Sequence, residues 1–203
     1  MNIPFTKFKI LYLLLASVIA TSCAEQSTRP ASTDIQDSSS LSQAVSGSDR
    51  ELYRDAITAL NNKDFSTAQS LLNEFIRKKP MLAGGYTNLA LLHLKKQEHD
   101  DSLKMVNKAI ELNPKQAQAY NLRGQINVSL GKIHDAKDDY LKSVELKPSY
   151  TNAQYNLALL YDIYLQDLSL AIKHYEIYMS LLKTPDEATK EWINHLKGTL
   201  SNG

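Results

Sequence analysis

Hydrophobic and polar positions divide the chain into three stretches. An apolar run spans Ile10 to Ala20, behind Lys7 and Lys9. From Ala24 to about Ser48 the residues are mostly Ser, Thr, Gln and Ala, with almost no large apolar side chain. Beyond Asp49 helical apolar stripes return in pairs, and the pattern repeats: Pro80, Pro114 and Pro148 stand 34 residues apart, each closing what reads as two short helices. Such a period marks a helix–turn–helix solenoid, whose units cannot bury their apolar faces alone. It predicts repeats 49–82, 83–116, 117–150 and 151–184. Thr184, Pro185 and Glu187 then form a capping box for a last helix running to about Lys197. Ala188, Trp192, Ile193 and Leu196 share one face of that helix and are expected to cover the apolar end of repeat four.

Aligned on the prolines, repeat two places Tyr86, Leu89, Ala90, His93, Ser102, Val106, Ala109 and Pro114 at positions 4, 7, 8, 11, 20, 24, 27 and 32. Repeat three places Tyr120, Arg123, Gly124, Asn127, Ala136, Tyr140, Ser143 and Pro148 there. Repeat one fits chiefly through Ala68, Leu72, Phe75 and Pro80, and repeat four opens with Tyr155, Leu157, Ala158 and Tyr161. Ala171 falls one residue late, so the turn around Leu165 to Leu168 is expected to hold one extra residue. Aromatic and large residues alternating with small ones in this register resemble the tetratricopeptide repeat. Asn127 is a poor fit to its bulky position. The resemblance implies an all-α, right-handed superhelical solenoid of about four helix pairs plus a C-terminal capping helix at 185–203.

In proteins of this kind the first helices of successive repeats line a concave surface through positions 2, 5, 9, 12 and 13. Carried over, the resemblance implies a partner-binding groove of Tyr53, Ile57 and Leu60; Thr87, Leu91, Leu94 and Lys95; Asn121, Gln125 and Val128; and Tyr155, Leu159 and Asp162. Tyr53, Asn121, Gln125 and Tyr155 are expected to make contact with a partner, while Leu91 and Leu159 could equally pack between repeats. A groove of aromatic, aliphatic and amide side chains suits an extended peptide or one face of a helix. Relatives that clamp acidic C-termini use Lys at position 5 and Asn at position 9. Here position 5 holds Tyr53, Thr87, Asn121 and Tyr155, so that clamp is absent.

The N-terminal segment 1–22 reads as an export signal: a basic start, a short apolar stretch and small residues before a cut. Its apolar run is about half the roughly 20 residues of a membrane-spanning helix. Cys23 is the only cysteine. Ala20-Thr21-Ser22-Cys23 resembles a bacterial lipobox, which implies lipid attachment at Cys23, although the same residues also suit ordinary signal peptidase. Ala24 is not Asp, which in the enterobacterial sorting pattern implies the periplasmic face of the outer membrane. Residues 23–48 then form a tether too poor in apolar residues to fold. Loss of residues 1–22 removes two of the 23 basic residues and none of the 22 acidic ones, leaving a net charge of −1. So balanced a chain has no electrostatic reason to seek nucleic acid.

Catalytic signals are missing: there is no GxSxG, HExxH, Walker glycine loop or GxGxxG. Five scattered histidines pair with no acid at a helical metal spacing, and Asp100-Asp101 and Asp138-Asp139 are expected to be solvated. Neither a cofactor nor a metal is expected. These residues point to a non-enzymatic, lipid-anchored adaptor for envelope proteins. In architecture it is similar to pilotin-type lipoproteins, to those that gather peptidoglycan enzymes, and to accessories of transport systems. The alternative is a self-assembling lipoprotein that uses Tyr150, Tyr155, Tyr161, Tyr164, Tyr175, Tyr178 and Trp192 as a homo-oligomer interface.

Overall fold

The computed structural model describes residues 46–201, and the described part is helical, without a strand. The predicted signal, Cys23 and nearly all of the tether lie outside the described residues. Four helix pairs follow one another: α1 (Gly47–Asn61) with α2 (Phe65–Lys78), α3 (Ala83–Lys95) with α4 (His99–Leu112), α5 (Ala117–Ser129) with α6 (Ile133–Leu146), and α7 (Thr151–Leu159) with α8 (Leu168–Leu181). The seventh helix runs on as a π-helical segment, Leu160–Leu165, and α9 (Glu187–Ser201) closes the order.

Three junctions carry the core, each built from residues of neighbouring repeats. Ala56, Leu60, Ala68 and Leu72 of the first pair pack with Leu89 and Leu92 of the second. Ala90, Val106 and Ala109 pack with Ala119, Leu122 and Ile126. Ala136 and Tyr140 join Leu157, Tyr161, Ile172 and Tyr175, and α9 adds Ile193 and Leu196. No pair encloses its own core, so burial of apolar surface ties each repeat to the next.

Small positions let the two helices of a pair meet. A methyl at Gly124 would lie 2.5 Å from the Tyr140 ring. Serines at these positions find acceptors on the facing helix: Ser102 Oγ donates to Ala90 O at 2.7 Å, and Ser143 Oγ to Ala117 O at 2.8 Å. Each is buried with its donor satisfied, which keeps the close approach from stranding a polar group.

Four turns join the members of the pairs, each through one left-handed residue: Lys63, Gln97, Gly131 and Gln166, with φ of 61°, 62°, 72° and 55°. The first three stand 34 residues apart and the last 35. Asp167, like Asp64, is an N-cap immediately after its left-handed residue: its side chain accepts from Leu170 N as that of Asp64 accepts from Thr67 N. The fourth turn thus keeps the pattern of the others, and the extra residue expected at 165–168 is absorbed earlier, within the π segment 160–165. A single wide turn accommodates one residue without breaking the helix.

The cap of α9 also differs from expectation. Asp186, not Thr184, is the N-cap: its carboxylate accepts from Thr189 N at 3.1 Å and Thr189 Oγ1 at 2.9 Å, and from Tyr178 Oη at 3.0 Å. The helix buries Thr189, Ile193 and Leu196 with Trp192 half-buried, while Ala188 is exposed.

Candidate functional site

Positions 5, 9, 12 and 13 fall on one stripe of a helix. The first helices α3, α5 and α7 lie against one another in order, so their stripes join. Two hydrogen bonds tie adjacent first helices: Asn88 Nδ2 donates to Tyr53 Oη, and Asn156 Nδ2 to Asn121 Oδ1 at 2.9 Å.

Position 5 proves to be structural. Tyr53 packs at a tilt against Phe75 with centroids 4.7 Å apart, and Tyr155 likewise against Tyr178 at 4.8 Å. Both rings thus meet position 27 of their own repeat, where the middle repeats have Ala109 and Ser143. In those repeats position 5 is smaller, Thr87 and Asn121, and both are buried. Thr87 Oγ1 lies 3.0 Å from Gln116 Oε1, and Asn121 accepts from Asn156. Burial pushes the Tyr53 phenol up to about 12, against the bond from Asn88. The phenol tip reaches repeat two, where a Cβ at Gly84 would lie 2.9 Å from Tyr53 Oη. Tyr53, Thr87, Asn121 and Tyr155 therefore pack between helices of the solenoid, whereas Tyr53, Asn121 and Tyr155 are, with Gln125, the residues expected to contact a partner.

Position 9 forms the accessible row: Ile57, Leu91, Gln125 and Leu159 are all half-buried. Leu91 touches the cores on both sides of α3 and Leu159 the core of repeat four, so both also pack. At position 12, Leu60 is buried in the first core, whereas Leu94 and Val128 are half-buried. Lys95, at position 13, is half-buried and has no hydrogen-bond or ion-pair partner among the described residues. Burial and the charge of Lys63 lower the pKa of its ammonium.

Asp162 leaves the groove. Counting back from the fourth turn by 35 sets it opposite Asn127, at packing position 11, and its surroundings agree. It is 7 % exposed, and its Oδ2 accepts from Trp192 Nε1 at 2.7 Å and Tyr175 Oη at 3.2 Å. Burial raises its pKa, against these two bonds. The π segment brings Ile163 and Tyr164 to positions 12 and 13 instead, 44 % and 50 % exposed. The one-residue delay of Ala171 held this signal, but placing the extra residue in the turn hid it.

The tyrosine-rich surface is largely interior. Tyr161, Tyr175 and Tyr178 are buried, and only Tyr164 is exposed. Most of these rings fill the junction of repeat four with α9, which removes them from the expected self-assembly face.

Two polar clusters lie elsewhere. Asp139, expected to be solvated, is buried; Arg123 binds it with both Nε (2.9 Å) and Nη2 (2.6 Å), and Asn127 Nδ2 donates to it at 2.9 Å. Arg123 and the ill-fitting Asn127 thus answer a shared acid. In repeat two, His93 Nδ1 lies 2.6 Å from Glu98 Oε2, an acid partner the helical spacings did not reveal because it is reached across the turn. With Asp101 they bring three possible ligand atoms within 4.8 Å of one another. Glu98 already pairs with Lys96 at 2.7 Å, and bonds from Lys96 and His93 lower its pKa.

The described helix pairs stack as a solenoid, and two of its repeats match a known repeat family. Residues 83–116 and 117–150 each match the family described as "Tetratricopeptide repeat". Among curated proteins, the chain is similar to the mitochondrial import receptor subunit TOM70 of Rattus norvegicus, 33 % identical over 99 residues, which is 48 % of this chain and 16 % of that protein. Among solved structures, a thermophilic tetratricopeptide-repeat protein of Thermus thermophilus superposes with a TM-score of 0.64 at 19 % identity, over 73 % of this chain and 80 % of its own. The first repeat domain of Spaghetti, bound to an HSP90 peptide, superposes with a TM-score of 0.53 at 22 % identity, over 58 % of this chain and 94 % of its own. No described helix is long and apolar enough to cross a membrane.

Proposed function

We propose that this chain is a non-enzymatic adaptor, held by lipid on Cys23 at the periplasmic face of a bacterial outer membrane, that receives a peptide or helix of an envelope protein in its concave groove. The carrying observation is the accessible row Ile57, Leu91, Gln125 and Leu159 across the side-by-side first helices. Curved solenoids of this kind present extended binding surfaces, and the peptide held by a solved protein of the same fold supports this use. The anchor rests on the residue pattern at Cys23 and on the polar stretch after it. Two or more acyl chains suffice for stable attachment.

A photo-crosslinking residue at Gln125 tests the site. It should capture a partner in cells, whereas the same residue at exposed Lys104, on the outer helix α4, should not. Equal capture from both positions, or capture only from Lys104, would move the site off the groove.

A further inference from the structure

The π segment exposes Ile163 and Tyr164 at positions that are buried, half-buried or polar in the other repeats. Single-turn π-bulges inside α-helices are frequent at functional sites. Large exposed apolar neighbours mark contact surfaces when they lie together. Two repeats away in the same register is Lys95, half-buried, beside Lys63 and without an anionic partner among the described residues. An ammonium partly removed from water gains most from an arriving carboxylate. We propose that the groove takes a partner segment bearing an acidic residue for Lys95 and, about six residues away, a large apolar residue for Ile163 and Tyr164.

The spacing follows from helix packing. Lys95 lies on α3 and Tyr164 on the continuation of α7, with α5 between them. Neighbouring packed axes stand about 8–10 Å apart, so the two features are separated by roughly 16–20 Å. Extended chain covers about 3.3 Å per residue, so five to six residues bridge that distance. Between the two ends the segment crosses Leu91, Gln125 and Leu159, and unlike ends fix its direction along the groove. The inference rests on the groove reading and adds the chemistry and polarity of the occupant.

The test is selection of random twelve-residue peptides, displayed on phage, against the detergent-solubilised full chain. Enriched peptides should share an Asp or Glu five to seven residues from a Leu, Ile, Phe or Tyr. Lys95→Gln should weaken the best synthetic peptide at least tenfold and abolish the preference for acid, with the melting temperature unchanged. Ile163→Ser combined with Tyr164→Ser should abolish the apolar preference. Peptides without an acid, or bound equally by Lys95→Gln, would overturn the polarised occupant while leaving the groove reading intact, provided Gln125→Arg still blocks them. Peptides insensitive to Gln125→Arg, or no enrichment at all, would overturn both.

Discussion

Arg123 and Asn127 show how a residue that breaks a repeat pattern can be correct for its own chain. Positions 7 and 11 normally carry apolar groups, yet here both side chains converge on Asp139 from the facing helix α6. Replacing the pattern with charge succeeds only while every member is present, because a buried carboxylate without its partner keeps the whole desolvation cost. Arg123→Leu alone should cost about 3–5 kcal/mol in urea unfolding, as breaking a buried pair does. Arg123→Leu combined with Asp139→Leu should recover most of it; equal losses would show that Asp139 does not need Arg123. Gly124 sets the opposite constraint, since the Cβ of Gly124→Ala would stand 2.5 Å from Tyr140 Cε1. Overpacking of that kind costs typically about 1–3 kcal/mol, so thermal unfolding should move to lower temperature, and no change would mean that the Tyr140 ring shifts freely.

Among the elements, α7 with its π segment sets what repeat four presents. The 34-residue period, the small positions and the left-handed turn at Gly131 were legible because each depends on local spacing. The end of α7 was not, because a late Ala171 says that a residue has been added without saying where the backbone absorbs it. The same limit applied to Tyr53 and Tyr155, whose aromatic partners at position 27 lie 22 and 23 residues onward on another helix. Asp162 now joins three elements: the π segment, α8 through Tyr175 and α9 through Trp192. Its folded pKa lies above the ordinary carboxylate value, so the protonated form favours folding. That contribution is fully present below about 3.8 and is lost as pH rises through the folded value. Asp162→Asn should therefore remove a decline in stability above that pH. Trp192 is the only tryptophan, so its fluorescence should follow the same titration in the native chain and lose it in the variant. A titration of Trp192 fluorescence that survives Asp162→Asn would contradict its assignment to Asp162.

For the whole molecule, the repeats divide structural and presenting roles between neighbouring positions of one helix stripe. Position 5 packs between helices, with Tyr53 and Asn121 tying successive first helices, position 9 remains half-buried, and positions 12 and 13 differ from repeat to repeat. Such a solenoid can change its partner with little disturbance of its core where the presenting side chains, such as Ile163 and Tyr164, belong to none of the inter-repeat clusters. Cys23→Ala should release the chain from the membrane fraction, and retention after a high-salt wash would show that lipid on Cys23 is not the anchor.

The most direct test of the adaptor account is affinity purification of the full chain from crosslinked cells, with quantitative mass spectrometry of wild type beside Gln125→Arg and Lys104→Glu. The account predicts envelope proteins recovered with wild type and Lys104→Glu but depleted in Gln125→Arg. Equal recovery with all three, or recovery of this chain alone, would contradict a partner held in the groove.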